Sequence, residues 1–99
     1  MLKSQILYEG AIIEPEKMNE AKVEFLKTDL DVGITFVKIA RTSADPETVS
    51  RNQRNARKAY DAVAHFLSTV TLTQIERENI NTKLERLKSA LEDMGEIFE

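Results

Sequence analysis

The chain has no cysteine and no tryptophan, one histidine, two prolines and three glycines in 99 residues. Without cysteine there is no disulfide framework, thiolate metal site or thiol nucleophile. With His65 as the sole imidazole, a zinc site lacks its ordinary ligands, so neither metal nor cofactor is expected. Few Gly and Pro argue against a many-stranded β domain with tight turns. Gln5 and Glu9 interrupt the first apolar stretch, so it does not read as a signal peptide, and no apolar run reaches the length of a membrane span. A cytoplasmic location is the resulting expectation. The length allows one domain, which excludes a Rossmann enzyme, a TIM barrel or a two-domain cleft.

What is present points to a globular helical chain. Hydrophobic residues make up 41% and charged residues 31%, a balance typical of folded rather than disordered proteins. The net charge is −3 and unevenly spread. Residues 38–60 hold six basic and two acidic side chains, whereas both flanking segments are net acidic. A general polyanion binder needs a positive field, which the whole chain lacks, although a local basic patch remains in the middle.

Asp45-Pro46-Glu47 is the clearest helix start. Asp is a favoured N-cap, Pro suits the first helical position, and Glu meets the positive end of the helix dipole. The following apolar stripe, Val49, Ala56, Tyr60, Val63, Leu67 and Val70, with Gln53 between, predicts a second helix from about Pro46 to Ser68. A second stripe beside the first, Ala59, Val63, Phe66 and Val70, lets this helix touch two neighbours and predicts that it is the central one, and its alanines permit close approach. Val70-Thr71-Leu72-Thr73-Gln74-Ile75 opens a third helix near residue 72. Thr71 with Gln74 forms one capping box, stapled by Val70 and Ile75, and Thr73 with Glu76 forms a competing one. The third stripe is Ile80, Leu84, Leu87, Leu91, Met94 and Phe98, with Gly95 as the stop.

Upstream, Leu26, Leu30, Gly33, Val37, Ala40 and Ala44 define a first helix ending before Pro46. It runs nearly continuously from Pro15, or restarts with Thr28 as a cap. Residues 1–14 form an N-terminal arm, and residues 15–99 a single domain. The expected fold is all-α, an antiparallel three-helix bundle in up-down-up order. Ala56-x-x-x-Tyr60 followed by small residues is loosely similar to the second helix of tetratricopeptide-type repeats. The Trp and Leu-Gly pair of such repeats are absent, so the similarity implies a helical hairpin and no activity.

Four features bear on function. Asp29-x-Asp31 lacks the glycine and twelfth-position carboxylate of a calcium loop, and reads as ordinary surface or capping acids. His65 stands one turn after Asp61, the spacing of a surface pair as well as of an oriented base, and no nucleophile or oxyanion donor accompanies it. Arg51, Arg54, Arg57 and Lys58 form a candidate anion-binding face. Phe25, Val32, Phe36 and Ile39 form a second apolar stripe on the first helix and are the candidate interface. The surplus apolar surface is covered either by the arm, with Ile6, Leu7, Tyr8, Ile12 and Ile13, or by a second copy of the chain. The expectation is a non-enzymatic helical protein–protein interaction module that forms a homodimer. Its alternative is a small regulatory protein binding nucleic acid or another polyanion through the basic face.

Overall fold

A computed structural model describes residues 15–99. The N-terminal arm, and with it the question of what the arm covers, lies outside the described residues. Three helices follow one another: α1 (Pro15–Thr42), α2 (Pro46–Phe66) and α3 (Gln74–Asp93), with a 3₁₀ turn at Leu67–Thr69. The described residues form no strand. The described residues form an all-α three-helix bundle.

Cross-helix contacts fix the topology. Phe25 meets Phe66, and Gly33 lies against Ala59, so α1 and α2 run antiparallel. Asn19 bonds Thr71, Asp31 pairs with Lys83, and Arg41 pairs with Asp93, so α1 and α3 run in the same direction. The order is therefore up-down-up.

The continuous form of α1 is the observed one: Thr28 lies inside the helix rather than capping a new one. Its buried face is Val23, Leu26, Leu30, Gly33, Val37 and Ala40, while Ala44 is exposed beyond the helix end. The cap of α2 is as expected. The Asp45 carboxylate accepts from the Thr48 amide at 3.0 Å and from its hydroxyl at 2.7 Å. These bonds hold the Asp45 carboxyl below its ordinary range, the hydroxyl contributing most.

Two expectations need correction. The buried face of α2 is Asn52, Ala56, Ala59 and Val63, lying between the two predicted stripes, while Val49, Tyr60, Leu67 and Val70 are only half-buried and Phe66 is 41% exposed. Small residues win the centre because α1 packs close, and the Asn52 amide donates to the Thr48 carbonyl at 2.8 Å. As expected, α2 touches two neighbours, α1 and α3, and α1 does the same: its Gly33 lies against both Ala59 of α2 and Leu87 of α3. Finally, α3 is capped by Thr73 and Glu76, not by Thr71 and Gln74. Thr73 Oγ1 accepts from the Glu76 amide at 3.1 Å, and the Glu76 carboxylate accepts from the Thr73 amide at 3.0 Å. The Thr71 backbone is already engaged. Its carbonyl accepts from the Asn19 side-chain Nδ2 at 2.9 Å, and its N–H donates to the Asn19 side-chain Oδ1 at 2.7 Å. Ile75 is 71% exposed, so the staple with Val70 is not made.

The core joins Leu26, Leu30 and Val37 to Ala56 and Val63 and to Ile80, Leu84, Leu87, Ala90 and Leu91. Gly95 ends α3 with φ of 99°, donating to the Glu92 carbonyl while Glu96 donates to that of Leu91. That is a Schellman closure, in which glycine tolerates the left-handed backbone.

Candidate interaction surface

The outward side of α1 carries a regular apolar row. Met18, Phe25, Val32 and Ile39 stand seven residues apart and are 42%, 46%, 40% and 40% exposed. An α-helix advances about 20° short of two full turns every seven residues, so such a row stays on one face. Three residues beyond each large side chain is a small one: Ala21, Thr28, Thr35 and Thr42, all exposed. The Thr35 hydroxyl donates to the Asp31 carbonyl and that of Thr42 to the Lys38 carbonyl, each at 2.9 Å. Those hydroxyl protons are spent within the helix, which leaves this strip short of free donors.

Of the four predicted interface residues, Phe25, Val32 and Ile39 share this row. Phe36 lies to one side, half-buried and packed against the core. Two members were missed. Met18 continues the seven-residue spacing one step upstream, which the sequence does display. Phe66, 41% exposed, comes from α2 and meets the Phe25 ring edge-on, with centroids 6.0 Å apart. Met18, Ala21, Lys22, Phe25 and Phe66 surround a shallow apolar hollow of about 350 Å³.

The basic face of α2 is only partly assembled. Arg51, Arg54 and Lys58 are exposed on α2, Lys58 beside a hollow it shares with Asp29 and Phe36 of α1. Arg57 is turned inward. Its guanidinium donates to Asp61 at 3.1 Å, to Glu96 at 2.9 Å and to the Ile97 carbonyl at 3.0 Å, and it lies 4.0 Å from the Phe98 ring centroid. Bonding to Asp61, then Glu96, holds its proton more tightly than usual. Gln53 donates to the same Glu96 at 2.7 Å, and Tyr60 meets Phe98 edge-on at 4.8 Å. These contacts fasten the residues after α3 across α2. No short motif announced this clasp, because its halves lie about 40 positions apart.

The remaining candidates do not assemble into a catalytic group. Asp31 is paired with Lys83 at 2.9 Å. Asp29 borders a hollow with Phe36, Asn55, Lys58 and Ala59, and partial burial pushes its carboxyl up. Asp61 is taken by Arg57, and His65 stands edge-on to Phe66 at 4.9 Å instead. Among the described residues no three His, Cys, Asp or Glu side chains cluster to hold a metal ion, and no helix is long and apolar enough to cross a membrane. Comparison with protein families, curated proteins and solved structures finds none that matches the chain.

Proposed function

We propose that this chain is a non-enzymatic helical interaction module that self-associates through the outward face of α1. The observation that carries the reading is the row Met18, Phe25, Val32 and Ile39, apolar, exposed and confined to one face. Isolated exposed apolar residues are normal on any protein, but a regular row of them on one helix face is the pattern of helix pairing. The hollow beside Phe66 adds shape to the row.

The row spans 22 residues, whose 21 steps cover about 32 Å of helix at about 1.5 Å each. A single helix face of that length buries less than the roughly 800 Å² per partner of a standard stable interface. Association in the micromolar range, rather than nanomolar, is the expected outcome.

Sedimentation equilibrium across the micromolar range tests the reading. The parent chain is expected to rise in mass with concentration. Phe25→Asp and Val32→Asp are expected to stay monomeric with unchanged helical circular dichroism, since both side chains are exposed and neither belongs to the core cluster. A parent chain that remains monomeric at several hundred micromolar would sink the proposal.

A further inference from the structure

Resting on that reading of α1, we infer that the partner is a second copy of the same helix running antiparallel, docked so that each large residue of the row faces a small one. Every repeat on this face carries one large and one small position, three residues apart. In a parallel, in-register pair each layer sets like against like. Phe25 meets Phe25 and Ala21 meets Ala21, which alternates crowded and hollow layers. Running one copy the other way sets Met18 opposite Thr42, Phe25 opposite Thr35, Val32 opposite Thr28, and Ile39 opposite Ala21. All layers then have similar volume, the condition for even interdigitation.

Two further observations favour this register. Ala21 lines the hollow with Met18, Lys22, Phe25 and Phe66. Ile39 of the second copy falls opposite that alanine, so a knob of this chain meets a hole of this chain at both ends of a two-fold interface. The flanking charges point the same way. In a parallel pair the residue before each large position lies near the partner residue five further on. That brings Lys17 to Lys22 and Glu24 to Asp29, both repulsive. In the antiparallel register Glu24, which also lies 3.5 Å from Lys27 of its own helix, comes near Lys38 of the second copy, twice by symmetry. Asp31 then approaches its own copy, but each Asp31 is already paired with Lys83 at 2.9 Å. Asp29 also approaches its copy at the two-fold axis, with Lys58 bordering the same hollow.

Because the chain has no cysteine, single-cysteine variants report the orientation cleanly. Ala21→Cys and Thr42→Cys leave all four large residues of the row in place. Each variant alone, and an equal mixture of the two, is treated with a short bis-maleimide at concentrations where the parent chain associates. The expected result is crosslinked dimer in the mixture and little in either variant alone. Efficient crosslinking of each variant with itself would overturn the antiparallel orientation while leaving self-association standing. No crosslinking in any sample, together with a monomeric parent chain in sedimentation, would overturn both.

Discussion

Gly33 sits where the three helices come closest. A Cβ built there would lie 2.9 Å from Leu87 Cδ2 and 3.1 Å from the Ala59 Cβ. The leucine has rotamers to yield with, but the alanine methyl is fixed to the backbone of α2. Gly33→Val is therefore expected to lower stability by about 1–3 kcal/mol through overpacking. A lower urea midpoint with unchanged m-value is the reading, and a midpoint equal to the parent's would mean the helices are further apart than they look. Asp45 gives a pH test of the same kind. Its carboxyl is held below the ordinary range by Thr48, so the charged form favours the fold. That contribution is complete above the unfolded-state pKa and disappears as pH falls through the lowered folded-state value. Asp45→Ala is expected to melt below the parent chain at neutral pH, with the gap closing in acid. A gap independent of pH would assign the effect to something other than the ionised cap. Both residues were legible in advance, Gly33 from its place in an apolar stripe and Asp45 from the proline that follows it. Arg57 was not, because the carboxylate and carbonyl that turn it inward belong to a distant segment.

At the scale of the element, the sequence states period more clearly than phase. Steps of three and four identified three helices, and most of the buried positions of α1 and α3 were named correctly. In α2 the sequence offers two neighbouring stripes, one with Val49 and Tyr60 and one with Ala59 and Phe66, without fixing which is buried deepest. The close approach of α1 selects the small residues where the two meet, which a single-helix reading cannot anticipate. The start of α3 poses the same kind of choice between two adjacent boxes. The structure decides it through Asn19, which engages both backbone groups of Thr71 from the first turns of α1. Thr73→Ala is expected to cost about 1 kcal/mol, the usual value of a lost N-cap. Thr71→Ala, whose backbone bonds survive, is expected to cost much less. Reversal of that order in denaturant unfolding would restore the earlier start of the helix. In the core of α3, Leu84→Ala is expected to cost about 2–5 kcal/mol as a large-to-small change at a buried site. A wild-type midpoint would mean that the buried side of α3 has been misassigned.

At the scale of the molecule, two surfaces compete as the functional one, and they respond oppositely to salt. The apolar row was partly legible: Phe25, Val32 and Ile39 stood out by spacing, whereas Phe66 belongs to a different helix and joins them only on folding. The basic face looked more complete in the sequence than it is on the folded chain. Arg57 is committed to Asp61 and Glu96, and Arg41 sits 3.6 Å from Asp93, leaving Arg51, Arg54 and Lys58 on a chain of net charge −3. Each phosphate neutralised contributes about 0.9 to the slope of log affinity against log salt, so three contacts give a slope of about −3 at most. An attraction that shallow, set against net negative charge, is expected to give no retention on heparin and no shift of DNA or RNA at physiological salt. Self-association through an apolar row should persist or strengthen as salt rises, because ionic screening leaves the burial of apolar surface intact. The two can thus be separated in one salt series followed by sedimentation and by nucleic-acid titration. If polyanion binding appears, falls steeply with salt, and is lost on changing Arg51→Glu together with Arg54→Glu, the working surface is on α2 and the apolar row of α1 must be explained some other way.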